Sequence, residues 1–397
     1  MKVVVCNIGS SSLKFQLLDM NSESILARGH MERVGGSDGN VVFWCGEEEV
    51  RRESESITSH RMAVRRLLQF LGGEHCPAVE SLDQIGAVGF KTIQAGEMNG
   101  SVLLTDEVLD AMERYRELAP AHNPPYLEAI YMFRGKVPDI PLVGVFEPGF
   151  HTGMPEYAKV YGVPYSWYQE HHVLRYGYHG ASHRFVTAET VRLLDLPTDD
   201  HRVISCHLGG SSSLCAYRNG RSVDTSMGFT PQSGLIQGTR VGDMDPYILP
   251  YIMEKEGLSL EEALNECAKN GGLAGLSGIS ADMRDVKAAV ADGDQRAQLA
   301  REKYIYDIKR YIGEYLILME GVDAVAFTGG IGQHDDELRE EVLESMRFLG
   351  LDLDSDQNSR HAQVITTQES EISAVVMETN EEIVVAREVL KVLNQQG

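Results

Sequence analysis

The chain has 397 residues, a length that exceeds one ordinary hydrophobic core and predicts two domains. Its 43% hydrophobic and 24% charged residues are typical of a water-soluble globular enzyme. The formal net charge of -23 argues against a nucleic-acid partner, which requires a basic face, and fits an anionic membrane poorly. A phosphorylated small ligand remains compatible, because its site needs only a few local cations.

Location can be predicted from the same composition. The sequence has no apolar run long enough to span a bilayer and no cationic leader with an apolar core. The six cysteines are scattered, without CxxC or metal-ligand spacing, which favours reduced thiols. We therefore expect a cytoplasmic protein with no membrane partner.

The first 150 residues alternate short strand patterns with helical ones. Apolar residues at 3–5 and 15–18 predict a strand, a turn and a second strand. Residues 35–59 are polar, and we expect them to be solvated, with a hairpin around residues 41–44. The other predicted elements are strands at 85–90 and 142–146, and helices at 61–71, after Thr105 and at 127–132, the last preceded by a proline-stiffened loop at 119–125.

The second half begins with residues 150–180, which are rich in Tyr, His, Pro and Gly and predict more loop than regular structure. The domain boundary is expected between residues 150 and 165. A capping box at 379–382 predicts a final helix that runs to residue 393. The other predicted elements are helices at 185–194, 260–269, 294–320 and 336–348, and strands at 324–327 and 374–377.

Two similar turns, rich in glycine and serine, follow short β-branched runs. The first, at residues 6–13, aligns with the second, at 206–214, when Gly210 is counted as an insertion. Backbone N–H groups in such a turn can surround an anion. The pair predicts a duplicated domain with two loops that face one cleft.

Two cations lie near these turns. Arg240 is flanked by glycines, and its planar guanidinium suits a phosphoryl group in transfer. The alternative is a surface arginine paired with Asp243 or Asp245. Lys14 could meet a phosphate, although a solvated lysine is equally compatible with the local sequence.

The histidines also admit two interpretations. His179 and His183 stand four residues apart, as in some zinc sites, but no third ligand has suitable spacing, and Gly177 and Gly180 favour a tight loop. We therefore predict that His179 donates to a phosphate and that His183 is structural. His122, among prolines, is either a substrate contact or a residue with a local role.

Two further segments have weak local signals. The turn at 328–332 could let a nucleotide approach the backbone at a strand end, although any strand–helix turn can look similar. Glu381, in the first turn of a helix, could hold Mg²⁺ through water or could simply complement the helix dipole.

Taken together, these residues resemble the acetate kinase family, with its propionate and butyrate kinases, in the sugar kinase–actin–chaperone ATPase superfamily. The resemblance extends over essentially the full length. It is carried by the segments NIGSSSLK (7–14), LAPAHNP (118–124), YGYHGASH (176–183), MGFTP (227–231), GTR (238–240), DMR (282–284), FTGGIG (327–332) and TNEE (379–382).

The resemblance implies an α/β protein with a duplicated ribonuclease-H-like (actin-like ATPase) fold, two domains and an interdomain cleft. Residues 1–150, joined by the helix at 382–397, would form the acyl-substrate side, and residues 151–381 the nucleotide-binding domain. A homodimer is implied as well. ATP or ADP and Mg²⁺ would bind in the cleft.

The resemblance also implies a role for individual residues. Glu147, His179 and Arg240 would be catalytic, and Asn7 and Glu381 would organise Mg²⁺. The acceptor would contact Lys91, Ala121, His122, Tyr178 and Pro231. The nucleotide would be held by Lys14, His207, Leu208, Gly209, Gly210, Ser211, Asp282, Met283, Arg284, Gly330, Ile331, Gly332, Gln333 and His334.

The chain departs from the family pattern mostly on the acyl-substrate side. Lys91 replaces an arginine, and an ammonium cannot make the bidentate contact with a carboxylate that a guanidinium makes. Glu147 replaces an aspartate, Ala121 a leucine and Tyr178 a phenylalanine. On the nucleotide side, Gly210-Ser211 replaces Asn-Gly, and most of the other motifs are kept.

The predicted function is therefore reversible, in-line phosphorylation of a short carboxylate, acetate by default, to an acyl phosphate with release of ADP. Two alternatives remain at this point. The protein could be a phosphotransferase of the same fold with a different or larger acceptor. It could also be a nucleotide-binding paralogue with little catalysis.

Overall fold

The computed structural model describes residues 1–73, 76, 78–116 and 122–395 of the chain. They form two compact units. The N-terminal unit contains residues 1–149 and the segment that begins at residue 380, and the C-terminal unit contains residues 150–379. Ala121, a predicted acceptor contact, lies outside the described residues.

The N-terminal unit is built on one mixed sheet. Its strands are β1 (Lys2–Gly9), β2 (Ser12–Asp19), β3 (Ser24–Glu32), β4 (Gly36–Cys45), β5 (Glu48–Ile57), β6 (Ile85–Thr92), β7 (Ser101–Leu103) and β8 (Leu142–Phe146), in the order β5-β4-β3-β2-β1-β6-β8-β7. Its first helices are α1 (His60–Leu71), α2 (Asp106–Arg114) and α3 (Asn123–Lys136).

The C-terminal unit has a smaller sheet and more helices. Its strands are β9 (Arg202–Leu208), β10 (Ser212–Arg218), β11 (Arg221–Thr225), β12 (Ala324–Thr328) and β13 (Ser373–Val376), in the order β11-β10-β9-β12-β13. Its helices are α4 (Glu156–Lys159), α5 (Tyr165–His171), α6 (Gly180–Leu193), α7 (Ile248–Glu256), α8 (Leu260–Lys269), α9 (Gly272–Ser277), α10 (Met283–Ala291), α11 (Gln295–Leu318), α12 (Gly329–His334), α13 (Asp336–Glu344) and α14 (Ser355–Ser359).

The last helix, α15 (Glu381–Asn394), belongs to the N-terminal unit and packs against β1 and β6. None of the helices in the described part of the chain has the length and hydropathy needed to cross a bilayer.

The two sheets share one topology. The order and directions of β3-β2-β1-β6-β8 repeat in β11-β10-β9-β12-β13, two antiparallel pairs followed by two parallel pairs. This is the ribonuclease-H-like arrangement, present once in each unit. The predicted duplicated α/β fold is confirmed.

The alignment of the two serine-rich turns needs a correction. In the first hairpin Ile8 pairs with Leu13, with residues 9–12 between them. In the second Leu208 pairs with Ser212, with only residues 209–211 between them. The second turn is therefore one residue shorter, and the prediction of an inserted glycine is wrong. Cross-strand pairing fixes this register, which the serine pattern alone does not reveal.

The polar segment 35–59 contains β4 and β5, which pair as an antiparallel hairpin, so the predicted hairpin is confirmed, with residues 41–44 in its first strand. The expectation that the segment as a whole is solvated is wrong. Phe43 on β4 is buried, and its ring stacks on Phe70 of α1 with centroids 4.3 Å apart. β5 carries its charged residues at the sheet edge, where water can reach them. Residues 150–180 likewise contain two short helices, α4 and α5.

Several helices begin earlier than the sequence predicts. α6 starts at Gly180 and includes His183, and α12 occupies most of the predicted turn at 328–332. α3 starts at Asn123 and holds prolines in its first turn, where a missing N–H leaves no helical bond unmade. α15 is capped by Asn380, whose side chain accepts from the N–H of Ile383, and not by the predicted box at 379–382.

Candidate active site

Predicted site residues lie where strands of the N-terminal unit end. Asn7 and Lys91 come directly after Cys6 and Phe90, the last pair of the parallel β1–β6 ladder, and Glu147 follows β8. Lys14 pairs with Asn7 across the β1–β2 hairpin. Because the carboxyl ends of parallel strands meet at one edge of a sheet, these residues share that edge.

Lys91 joins two acidic residues at this edge. Its Nζ lies 3.0 Å from Oε1 of Glu147 and donates a hydrogen bond to Oε2 of Glu381. The three side chains are 16%, 4% and 15% exposed, respectively. Burial alone would lower the pKa of Lys91, but the two carboxylates outweigh it and hold that pKa well above the ordinary value. The ammonium is therefore charged at neutral pH.

Helix α15 places Glu381 at this edge because it can pack closely on β6. Gly89 of β6 faces Val385 and Val389, and a Cβ at this glycine would lie within 2.9 Å of both side chains. The absent side chain therefore permits the contact. Asn380 fixes the helix start, and Glu381 is the first helical residue.

Helix α3 braces the end of β1. The hydroxyl of Tyr126 accepts a hydrogen bond of 3.0 Å from the N–H of Ile8. Burial raises the pKa of Tyr126, so the phenol stays protonated. His122, a predicted acceptor contact, immediately precedes this helix and is partly buried.

Two buried amides lie next to this site. Asn123 donates through Nδ2 to the carbonyls of Gln94 and Met112, at 2.9 and 2.8 Å. Gln94 accepts through Oε1 from the N–H of Gly96 and from Asn99. These contacts fix both amide orientations. They leave Oδ1 of Asn123 and Nε2 of Gln94 buried without a hydrogen-bond partner among the described residues.

The donor set of the N-terminal unit suits Mg²⁺. Glu147 and Glu381 provide hard carboxylate oxygens, and Asn7 provides an amide at the same edge. In the described part of the chain, no group of three or more His, Cys, Asp or Glu side chains is placed to hold a metal ion. A cation bound here would therefore keep much of its water shell, as Mg²⁺ usually does.

Arg240 lies in the C-terminal unit beside the turn between β9 and β10. Its Nη1 donates to Oγ of Ser211 at 3.0 Å, to Oε1 of Gln237 at 3.1 Å and to the carbonyl of Pro231 at 3.4 Å. Burial lowers the pKa of Arg240, but a guanidinium still carries its charge at neutral pH. Among the described residues Arg240 makes no ion pair with Asp243 or Asp245, the alternative partners, and Arg310 donates to Oδ2 of Asp243 instead.

His179 and its neighbours form a second cluster in this unit. Nδ1 of His179 lies 2.8 Å from Oγ of Ser213, and the same hydroxyl lies 2.8 Å from Nε2 of His183. The ring of His179 stacks on that of His207 with centroids 4.2 Å apart. His183 is fully buried, and burial holds its pKa well below the ordinary value. The neutral His183 thus contacts the hydroxyls of Ser205 and Ser213.

Tyr178 and Pro231 are also tied into the C-terminal unit. The hydroxyl of Tyr178 donates to the carbonyl of Phe229 at 2.8 Å. The carbonyl of Pro231 accepts from Nε2 of Gln237 at 2.8 Å. The hydroxyl that distinguishes Tyr178 from phenylalanine therefore holds the segment that leads to Pro231.

A cavity of about 720 Å³ opens beside the β9–β10 turn, a volume within the range of small-molecule sites. The chain comes close here because Gly329 has a φ of +78°, and a Cβ on it would lie 2.4 Å from the carbonyl of Leu208. Eight predicted nucleotide contacts line the cavity: Gly209, Gly210, Asp282, Met283, Arg284, Gly330, Ile331 and His334.

The other predicted nucleotide contacts do not line this cavity. The side chain of Leu208 is buried in the hydrophobic core, and Gly332 packs against the backbone of Phe327. Gln333 lines a neighbouring cavity of about 430 Å³, which shares His334. Ser211 and His207 instead contact Arg240 and Ser182, and Lys14 belongs to the N-terminal unit.

Sequence reasoning missed several residues at these sites: Gln94, Asn123, Tyr126, Ser213, Gln237, Ala281, Lys287 and Asp335. Asn123 and Gln237 stand within or beside family motifs, which could have drawn attention to them. The contacts of Tyr126 and Ser213 lie far away in sequence, at residues 8 and 179, and have no local signal.

Each unit has the ribonuclease-H-like core of the actin-like ATPase fold. The guanidinium beside a small-residue turn and the cavity of about 720 Å³ fit a phosphotransferase of that fold. The sequence model of the acetokinase family matches residues 2–387, and the chain belongs to that family.

Individual relatives agree with this assignment. The chain is 43% identical over 396 residues to the acetate kinase of Coprothermobacter proteolyticus, with 99% of each chain covered. The crystal structure of Porphyromonas gingivalis acetate kinase superposes with a TM-score of 0.91 at 37% identity, over 99% of each chain. The crystal structure of a propionate kinase from Francisella tularensis superposes with a TM-score of 0.89 at 34% identity, over 98% of each chain.

Proposed function

We propose that the protein transfers the γ-phosphoryl group of ATP reversibly to a short carboxylate, with acetate as the default acceptor, to give an acyl phosphate and ADP. The observation that carries the proposal is the placement of Arg240 against Ser211 in a chain that matches the acetokinase family over residues 2–387. Similarity to acetate and propionate kinases supports a short carboxylate as acceptor.

To catalyse this reaction, the protein mainly has to position the two substrates and neutralise the negative charge of the phosphoryl group. The acceptor carboxylate is already ionised at pH 7. One of its oxygens attacks the γ-phosphorus, and the bond from that phosphorus to the bridging oxygen of ADP breaks. Arg240 provides a fixed positive charge for the group in transfer, and His179, held by Ser213, provides an imidazole. Glu147 orients its neighbours and accepts no proton.

We further propose Mg²⁺ as the cofactor, organised by Asn7 and Glu381. Bound Mg²⁺ would neutralise phosphate charge. The residues fit because Glu381 presents a carboxylate that is only 15% exposed, at the first turn of α15. The cavity lined by Gly209, Ile331 and their neighbours is proposed to take the nucleoside.

The test is a panel of short carboxylates with Mg-ATP, in which ADP release is coupled to a detector and acyl phosphate is trapped as a hydroxamate. We expect acetate or propionate to give a hydroxamate, and Arg240→Ala to abolish most of it. If nucleotide binds but no carboxylate yields acyl phosphate, the protein is a binding paralogue and the proposal fails.

A second candidate is a more polar acceptor than acetate. The unpartnered Nε2 of Gln94 and Oδ1 of Asn123 favour it, because a buried amide without a partner costs about 1–3 kcal/mol and a hydroxyl on the acceptor could satisfy it. Glycolate and lactate therefore belong in the panel. A preference for them that is lost in Gln94→Met would support this candidate, and equal turnover of acetate would remove it.

We also propose a homodimer that works in the cytoplasm. Apolar side chains at the start of α7 are exposed, with Tyr247 at 80%, Tyr251 at 62% and Ile248 at 50%. Cys6, Cys76, Cys206 and Cys215 are buried thiols outside disulfides, as in reducing compartments. Light scattering should give a molar mass in solution of twice the chain mass. If this surface is the interface, Tyr251→Glu should lower the measured mass toward that of a single chain.

A further inference from the structure

One ammonium is shared by two buried carboxylates in the N-terminal unit. Lys91, at the end of β6, contacts Glu147 after β8 at 3.0 Å and Glu381 at the start of α15. Glu147 is 4% exposed and Glu381 15% exposed. Two carboxylates this close to one another repel unless a cation stands between them, and here the protein's own side chain is that cation.

A divalent metal ion and this ammonium compete for the same charge. Glu381 is the carboxylate proposed above to organise Mg²⁺, yet it accepts a hydrogen bond from Lys91. A metal ion that gains Glu381 must therefore weaken this contact. The flexible stem of lysine allows the ammonium to exchange one partner for another, which the rigid fork of a guanidinium hinders.

We propose that Lys91 is an internal counter-cation that a divalent metal ion displaces from Glu381, and that the displaced ammonium then binds the carboxylate of the acceptor. The inference rests on the proposed function, since it uses the same metal and acceptor. The proposal also explains why two departures from the family pattern, Lys91 and Glu147, occur together in this chain. The shorter reach of Lys91 and the longer reach of Glu147 belong together, because the two side chains meet directly.

Metal and acceptor binding are then coupled. Without metal, Lys91 is held by both carboxylates, and the acceptor binds weakly. With metal, Lys91 is released toward the acceptor. Because coupling between two binding sites is reciprocal, the acceptor must tighten metal binding by the same factor.

The test uses Mn²⁺ as the probe, without nucleotide, and counts free Mn²⁺ by electron paramagnetic resonance. For the wild-type chain, saturating acetate should lower the Kd of Mn²⁺ by roughly five- to tenfold, within the usual range of coupling between sites. Lys91→Met should bind Mn²⁺ about tenfold tighter than wild type in the absence of acetate, and acetate should no longer change that affinity. Lys136→Met, the same change at an exposed lysine on α3, should behave like wild type.

Two results overturn the inference. One is a wild-type Kd for Mn²⁺ that does not respond to acetate, a measurement that needs no variant and stands even if Lys91→Met fails to fold. The other is a response that persists in Lys91→Met, which would mean that acetate simply ligates the metal. Hydroxamate formation is measured separately, so a chain that makes acyl phosphate without this coupling retains its function and loses only the inference. If the coupling is observed but no acyl phosphate is formed, the proposed function is wrong and the inference about Lys91 stands.

Discussion

A Cβ built on Gly89 would lie 2.7 Å from Cγ2 of Val389, so β6 and α15 approach as closely as only glycine permits. This contact joins the strand that carries Lys91 to the helix that begins at Glu381. The position of Glu381 therefore depends on Gly89, far away in the sequence, because this glycine lets the helix pack closely on β6.

Gly89→Ala should displace α15 and destabilise the chain by about 1–3 kcal/mol, as overpacking of a core does. Weaker Mn²⁺ binding should accompany the loss, because Glu381 moves with the helix. Gly135→Ala is the matched control, since a Cβ there meets nothing within 4 Å. Denaturant unfolding of both variants checks the prediction, and equal stability would show that the contact can relax.

Arg240→Ala should lower kcat by roughly 10²- to 10³-fold while the KM for nucleotide changes little. A charge that acts mainly on the group in transfer stabilises the transition state more than the bound substrate. Steady-state kinetics with Mg-ATP separate the two parameters. His179→Ala should act in the same direction but more mildly. Lost nucleotide affinity at unchanged kcat in either variant would contradict the assigned role.

Mg-ATP should raise the melting temperature of the chain. A ligand that binds only the native state stabilises it by about 2.7 kcal/mol at a concentration of 100 Kd. Differential scanning fluorimetry with ATP, and with Mg²⁺ alone as the control, measures the effect. The absence of any shift at millimolar nucleotide would contradict both nucleotide binding and the kinase function.

Stability should fall as the pH drops from about 6.5 toward 4. Burial lowers the pKa of His151 from 6.5 to about 4, and it also lowers that of His183. Between these pH values His151 is protonated in the unfolded chain but not in the native chain. Protonation of the unfolded chain therefore lowers the free energy of unfolding, by about 3 kcal/mol for His151 alone. Burial raises the pKa of Asp224 from 3.8 to about 6. The native chain therefore binds this proton more readily than the unfolded chain does, and Asp224 partly offsets the loss of stability as the pH falls from 6 to 3.8.

Urea unfolding at pH 4.5 and 7 measures this difference. His151→Gln should be less stable at pH 7, since it loses contacts to Ser222 and Tyr178, but its stability should depend less on pH. A variant with the full wild-type slope would show that His151 does not cause the effect.

Acetate turnover should be weak in the natural chain and should improve in the double variant Lys91→Arg with Glu147→Asp. The fork of arginine can grip a carboxylate at two points, and the shorter aspartate restores the family spacing. A misplacement of about 1 Å can change a rate by on the order of 10²-fold. Because Lys91 and Glu147 touch, the two changes should couple and not add.

The kcat/KM for acetate of the two single variants and the double variant forms the cycle that tests this coupling. Ordinary family efficiency in the natural chain would mean that the departures are already compensated. Additive single effects would mean that the two residues act separately.

The sequence by itself determined the fold class, because the two small-residue turns and the family motifs are contiguous segments. It also determined elements whose apolar spacing is local, such as β8 at Leu142–Phe146 and α8 at Leu260–Lys269, which have the predicted bounds. Local patterns succeed here because side-chain periodicity and backbone hydrogen bonding involve near neighbours.

Only the tertiary structure decided the register of the second hairpin, the burial of Phe43 and the partners of Lys91. Lys91 and Glu381 stand 290 residues apart, and no local pattern relates them. They meet because β6 ends and α15 begins at the same edge of one sheet, and because Gly89 lets the helix approach. An ion pair of this kind is a product of packing, and sequence spacing carries no information about it.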